Sequence, residues 1–518
     1  MAQDDVHILI GVGGTGAKVV EAALVLMAAG VGPQKVHVGL VDQDQSNGNV
    51  ERTRSLLDGL QRLRQLWGRE SDVNFIDWKS TDDAMPFGSI EISPLFAETQ
   101  NALWCPERDE TTLRTIIGAN LDGDRRNLFD MLFMRGPEEQ DLPLGKGYRG
   151  RAHVGATALV SAILETESLL LKRLRELMED PGGNRIRIFI VGSAFGGTGA
   201  AGFPTLARAL HRLRNSQGFR NQGKVTIGGM LMLPYFSFND EDGDGHAVVA
   251  PDELLPKAKL ALEYYDNLFE HEQAFDTFYA LGWERLIPLG YHQAGAAEQS
   301  NPALAPELFA ATAVIDFMSG EATEAMRGTR VLVSAREDQG IKWRGMPDGG
   351  IIEQRLGQLI RFAVYWRYIA ERMIDEKTSL LRGKNWIQKL TKGAKAIESE
   401  NELNALRSVL DRILLWAATV QKTSDRQWAQ GPWNLSRFVR ETGSPTEPVS
   451  LVSSLGEDAI YDGFDELIRV DSGEYAPRAG HDLHHDLTAG RIEVRNGSKG
   501  LGIAVNTVAK AASLKGRG

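Results

Sequence analysis

The chain has 518 residues, 42% of them hydrophobic and 25% charged. That composition excludes a wholly disordered or collagen-like chain, and at roughly 150 residues per domain it predicts three or four units, fewer if one is a large α/β domain. With 58 basic and 69 acidic side chains the net charge is −11, so broad sequence-independent binding to nucleic-acid phosphates is not expected.

The only cysteine, Cys105, excludes an internal disulfide. With no catalytic motif around it, it reads as an inert thiol in a reducing compartment. No apolar run approaches the ~18 residues of a membrane span, and no basic n-region opens the chain. A cytoplasmic protein is expected. Glycine is over-represented, 55 residues in all, and the places where it falls carry the functional signal.

From Val6 to about Gly320, short β-rich runs alternate with helix-period segments, which predicts an α/β domain over residues 1–320: a parallel sheet with helices on both faces. Strands are predicted at His7–Ile10, Val36–Val41, Val73–Trp78, Ile186–Val191, Val225–Leu233 and Phe275–Leu281. Between His153 and Met178, apolar residues recur every three or four positions, which predicts one helix with an apolar face. Beyond Gly320 a strand-like run, Arg330–Ala335, precedes two long helical patterns, Ile351 to about Leu381 and Ala394 to about Val420. These predict a divergent helix-rich C-terminal domain over 321–470. Thr442–Pro448 reads as an exposed loop. After Glu493 there is no acid, but Arg495, Lys499, Lys510, Lys515 and Arg517 follow, so 471–518 reads as a mobile basic tail.

The first chemical motif is Gly11-Val-Gly-Gly-Thr-Gly-Ala-Lys18, between a strand and a helix. Such a turn offers backbone N–H groups at a helix N-terminus, where the dipole favours phosphate. Gly11, Gly13 and Gly16 fit the dinucleotide fingerprint, with Asp42 at the end of the next strand as a ribose-binding acid. The P-loop pattern fits less well: Lys18 comes one residue late and Val19 stands where a Mg²⁺-binding Ser or Thr is needed. The second motif, Gly192-Ser-Ala-Phe-Gly-Gly-Thr-Gly199, again joins a strand to a helix, and a dinucleotide fold has no use for it there. Between them lies a third glycine-rich segment, Leu144 to Gly155, also entering a helix.

Taken together these residues resemble the tubulin/FtsZ superfamily of GTPases over about residues 6–320. Gly196-Gly-Thr-Gly199 is similar to the signature loop that wraps the nucleotide phosphates in that family. The resemblance implies that Gly11, Gly13, Gly14, Thr15 and Gly16 form the first phosphate loop and that Asp42, Gln43 and Asp44 form the loop after the second strand. It makes Gly145, Gly147, Arg151 and Gly155 the γ-phosphate-sensing loop. Glu298-Gln-Ser-Asn-Pro302 looks like the divergent bacterial tubulin-like proteins, with Asn301 as a base-binding residue at the start of the central helix.

GTP or GDP with Mg²⁺ is the implied cofactor. The implied partner is a second copy, in a homo-oligomer or filament joined by longitudinal contacts, with further protein partners on the C-terminal region. Hydrolysis in the family is completed in trans by an acidic loop after the central helix. Here the nearby acids are Glu321 and Glu324, so these are the candidate catalytic residues. Two departures stand out: Ala200 and Ala201 follow the signature loop, and Lys257 and Lys259 occupy the start of the helix that would carry the other base-binding residue.

Two further clusters are weaker. Asp240, Asp242, Asp244 and Gly245 match half of a Ca²⁺ loop, but Pro251 stands where a bidentate Glu belongs. His481, His484 and His485 lack Cys partners. No metal site is assigned to either. Three functions remain: a slow GTPase whose nucleotide state controls self-association or partner binding, a nucleotide-stabilised scaffold that does not hydrolyse, and an NAD(P)-dependent oxidoreductase built on Gly11, Gly13, Gly16 and Asp42.

Overall fold

The computed structural model describes residues 5–33, 35–44, 46–66, 87, 91–99, 101–106, 110–164, 168–179, 184–238, 251–283, 285–289, 301–320, 329–336, 343–375, 400–424, 433–444, 447–468, 480–488, 505, 508–509 and 512. The strand expected at Val73–Trp78, the acidic cluster at 240–244 and the candidate catalytic residues Glu321 and Glu324 lie outside them.

The chain begins β1 (Val6–Val12), α1 (Gly13–Ala28), β2 (Lys35–Val41), α2 (Gly48–Leu66), β3 (Glu91–Pro94) and β4 (Leu103–Trp104). Then come α3 (Leu113–Ile116), α4 (Gly123–Leu132), α5 (Ala152–Leu164), α6 (Leu169–Glu179), β5 (Ile186–Ser193), α7 (Gly197–Arg214) and β6 (Val225–Met232). After β7 (Phe236–Phe238) follow α8 (Pro251–His271), β8 (Thr277–Trp283), β9 (Ile287–Leu289), α9 (Ala305–Ser319) and β10 (Arg330–Arg336). All eight strands of the main sheet are parallel, in the order β10-β8-β6-β5-β1-β2-β3 with β4 also on β2. This is an α/β fold wound in both directions from β1 and β5.

Side chains alternate across the strands, so both faces bury apolar groups. Leu9, Phe189, Val191, Met230 and Tyr279 join one core with α1, α2 and α9. Ile8, Ile10, Ile188, Ile190 and Ile227 join the other with α5, α7 and α8. All of α9 except Asp316 and Ser319 is buried, as expected of a helix that is apolar all round. It runs against the strands: its Met318 carbonyl lies 3.1 Å from His7 Nε2 at the start of β1, and its Phe317 carbonyl accepts from Arg187 Nη1 at the start of β5.

Three expectations change. The helix predicted over 153–178 is two, α5 and α6, with Ser168 outside either. The strand predicted at Arg330–Ala335 is not part of a separate domain, because β10 pairs along its whole length with β8. The C-terminal helices are α10 (Gly349–Tyr365), a π turn over Trp366–Ala370, α11 (Glu371–Asp375), α12 (Glu400–Ser424), α13 (Glu457–Asp465) and α14 (Gly480–Thr488). The hairpin β11 (Val439–Glu441) and β12 (Val449–Leu451) comes before α13. Residues of α10 and α12 share one core with α1, α2 and α9, and α2 and α12 meet so closely that a methyl group on Gly59 of α2 would stand 2.7 Å from Val409 of α12.

The mobile basic tail is also corrected at its described residues. Leu483 of α14 and Val505, Val508, Ala509 and Ala512 are fully buried, and the Ala509 carbonyl accepts from Gln358 Nε2 at 2.7 Å. Small apolar residues in the tail outweigh its charge pattern by filling space against α10. No helix among the described residues is long and apolar enough to cross a membrane.

Candidate functional site

In an open parallel sheet, ligands bind beyond the carboxyl ends of the strands, where the winding reverses. Here that point lies between β1 and β5, and it holds both glycine motifs. Gly13 turns the chain from β1 into α1 with φ +72°, and a methyl group on it would stand 2.9 Å from the Gly199 amide nitrogen. Only glycine allows that turn and that approach. Thus α1 and α7 start side by side. Neither start is capped by a side-chain hydrogen bond, and neither first turn holds an acid. Their orphan N–H groups and the positive ends of two helix dipoles converge on one place.

The third segment folds onto them. After the turn Leu144–Lys146, Gly147, Arg149 and Gly150 all have positive φ. A methyl group on Gly197 would meet the Gly150 nitrogen at 3.0 Å and Tyr148 Cβ at 3.1 Å, and one on Gly147 would lie 3.5 Å from Asp44 Cβ. Gly145 is buried, Arg151 is half-buried at the entry to α5, and Gly155 packs on Tyr148.

Asp42, at the end of β2, is buried and takes hydrogen bonds on both oxygens. Oδ1 accepts from Thr198 Oγ1 at 3.0 Å and from the Asp44 amide at 3.2 Å, and Oδ2 accepts from Asn47 Nδ2 at 3.1 Å. Burial pushes its pKa up to about 7, against the lowering effect of these donors. Asp42 therefore ties the loop after β2 to the Gly196–Gly199 loop. Gln43 is fully buried under Tyr148 and Cys105, whose Oη and Sγ each lie 3.5 Å from a Gln43 oxygen. Asp44 accepts from the amide and hydroxyl of Ser46 through Oδ1, at 3.0 and 2.8 Å.

Two residues not singled out in the sequence complete this wall. Asn47 Oδ1 accepts from the Asn49 amide at 3.0 Å, and Asn49 Oδ1 from the Asn301 amide at 2.9 Å. A methyl group on Gly14 would meet Asn47 Nδ2 at 3.0 Å and Asn49 Nδ2 at 3.3 Å. Asn301, 252 residues beyond Asn49, is thereby held beside the first glycine loop, with its carbonyl accepting from Arg52 Nη1 at 2.7 Å. The available signal was the Asn-Gly-Asn at 47–49, a turn sequence soon after Asp42.

Lys18 points the other way. Its Nζ is 2.5 Å from Glu307 Oε1 on α9, with both side chains at most 2% exposed. Burial lowers the Lys18 pKa and raises that of Glu307, each opposed by the other's charge. A P-loop lysine must reach phosphate, and this one is committed to α9. Of the two departures, Lys259 is solvated beside Glu263 at 3.9 Å. The helix α9 covers about 22 Å at 1.5 Å per residue and ends against the starts of β1 and β5, so Gly320 leaves it at the sheet edge opposite the glycine loops.

The residues present fit a bound polyphosphate: two uncapped helix starts, a third loop in left-handed conformation, and a wall of amide and hydroxyl groups. No cluster of three or more metal-ligating side chains occurs among the described residues. A Mg²⁺ ion would therefore be held largely by phosphate and water, as that ion favours. Comparisons of the chain with protein-family models, curated proteins and solved structures return no match.

Proposed function

We propose that this chain is a guanine-nucleotide-binding protein of the tubulin type, a slow GTPase whose nucleotide state governs self-association or the binding of protein partners. The observation that carries the reading is the meeting of the two uncapped helix starts at Gly13 and Gly197, closed over by the 144–151 segment. Backbone N–H groups of residues 13–16 and 196–199 would hold the phosphates and stabilise charge on the transferring phosphoryl group. Mg²⁺ held mainly by phosphate and water, with Asp44 beside the third loop, would supply charge neutralisation. Asn301 would meet the base.

Glu321 and Glu324 follow Gly320 in the sequence, and Gly320 ends α9 at the end of the sheet far from the glycine loops. Either acid would serve a neighbouring copy's site by orienting water. A longitudinal stack of copies would bring those two edges together. The non-hydrolysing scaffold differs only in turnover. The oxidoreductase reading is the weaker one, because the Asp42 it needs at a ribose is buried and bonded to Thr198 and Asn47, and it leaves the 196–199 loop without a role.

The test is to denature freshly purified protein and identify what it releases by chromatography and mass. GTP or GDP is expected. Recovery of NAD(H), or of nothing together with no GTP binding on re-addition, would overturn the proposal. Turnover per subunit should rise with protein concentration if the site is completed in trans, and a flat dependence would favour the scaffold.

A further inference from the structure

The side-chain amide of Asn49, in the first turn of α2, is held in one orientation although the residue is only 2% exposed. Its Oδ1 accepts from the Asn301 amide at 2.9 Å. A backbone N–H needs an acceptor, and only the oxygen of a carboxamide supplies one, so this bond fixes which end of the side chain is oxygen and which is NH₂. Asn47 is oriented in the same way: Oδ1 accepts from the Asn49 amide at 3.0 Å while Nδ2 donates to Asp42 Oδ2 at 3.1 Å. Asn47 is thereby used at both ends. Asn49 is used at one, because among the described residues nothing accepts from its Nδ2.

The unused donor faces the first glycine loop. A methyl group on Gly14, the second residue of α1, would stand 3.3 Å from Asn49 Nδ2, so glycine at that position leaves the NH₂ uncovered. Interior atoms sealed without a partner include Gln140 Oε1 and Trp416 Nε1 but not Asn49 Nδ2, which puts this donor within reach of a ligand. Asn301 beside it is fixed as well: its carbonyl accepts from Arg52 Nη1, and Arg52 is held by a two-point pair with Glu21. A buried donor that is fixed and unmet weakens the fold unless a ligand meets it. The two common purines answer it differently, because guanine carries a carbonyl acceptor at C6 and adenine an NH₂ donor. A fixed N–H donor pairs with the first and opposes the second.

We propose that Asn49 determines base specificity, its Nδ2 donating to the 6-carbonyl of a guanine held beside Asn301. This rests on the nucleotide-binding reading above, which sets the base at Asn301. The test pairs a variant with an analogue. 2-Aminopurine riboside triphosphate keeps the 2-amino group, sugar and phosphates of GTP but lacks the 6-carbonyl and the proton on N1.

With Mg²⁺, the wild-type full chain should bind the analogue about tenfold less tightly than GTP, the net worth of one hydrogen bond. Asn49→Ala should lose about tenfold for GTP and nothing for the analogue, since the two changes remove the same bond. A merely structural role would weaken both ligands alike. That result, or equal wild-type affinities for GTP and the analogue, would overturn the inference and leave the site intact. If Asn49→Ala fails to fold, Asn49→Asp keeps the oxygen that Asn301 needs and removes the donor. The ratio of its affinities for GTP and the analogue should fall from about ten to one or below, and an unchanged ratio overturns the inference. Wild-type protein that binds no GTP would remove the nucleotide reading and this inference with it.

Discussion

Thr198, in the first turn of α7, donates its hydroxyl to Asp42 Oδ1 at 3.0 Å across 156 residues of sequence. This bond joins the loop after β2 to the signature-like loop after β5, and both partners are buried. Thr198→Val should remove a donor from a buried carboxylate and destabilise the fold by about 1–3 kcal/mol. Urea unfolding checks the stability, and nucleotide retention through gel filtration should fall in parallel. A variant as stable as wild type would show that the bond contributes nothing.

Asp42 also shapes the pH dependence. Its folded-state pKa is raised from 3.8 to about 7 by burial, so between those values the native protein keeps a proton that the unfolded chain has lost. Its contribution to stability therefore falls as pH rises. His7 and His37 act in the opposite sense: burial lowers both from 6.5 to about 4, so their contribution rises with pH over that range. Asp42→Asn removes only the falling component. Its stability should climb more steeply than wild type between about pH 4 and 6.5, by up to about 1.4 kcal/mol per pH unit. Parallel profiles in urea titrations would contradict the raised pKa.

Gly13 and Gly197 predict a contrast with an open glycine. Gly13→Ala combines positive φ with a 2.9 Å clash on Gly199, and Gly197→Val pushes on the backbone of Gly150. Both should release bound nucleotide, by displacing the facing loop. Gly223→Ala meets nothing within 4 Å and should retain nucleotide. Mass analysis of what each variant releases on denaturation distinguishes them.

Lys18 and Glu307 form a buried pair whose partners depend on each other. Lys18→Met alone leaves a buried carboxylate without its counter-charge, an expected loss of about 3–5 kcal/mol. Combining it with Glu307→Met should recover most of that loss, because the double variant buries no charge. Chemical denaturation of the three variants tests this, and additive losses would argue against a direct pair.

Removal of residues 505–518 should lower the melting temperature and promote aggregation, because it uncovers the surface that Val505, Val508, Ala509 and Ala512 fill and leaves Gln358 without the Ala509 carbonyl. An unchanged melting curve would restore the reading of a mobile tail.

The strands β1, β2, β5, β6 and β8 and the glycine-rich junctions after β1 and β5 were legible because each depends on local rules, whereas the short β3, β4, β7 and β9 were not. Period-two apolar runs make buried strands, and glycines at strand-to-helix junctions permit turns that other residues resist. The glycine motifs and Asp42 could be placed on those junctions from spacing. Asn301 and the acids at 321 and 324, by contrast, rested on family resemblance alone.

What only the tertiary structure decided is how side chains distant in sequence divide their donors and charges. Lys18 could be read as a phosphate ligand until α9 brought Glu307 to 2.5 Å. Asp42 reads from the sequence as a ribose ligand, and the fold instead buries it against Thr198 and Asn47. The tail read as mobile because its charge pattern is visible locally, whereas the Gln358 side chain that donates to the Ala509 carbonyl comes from α10, 151 residues earlier. Periodicity and turn chemistry act over a few residues, but hydrogen-bond satisfaction and burial are settled only when the whole chain has packed.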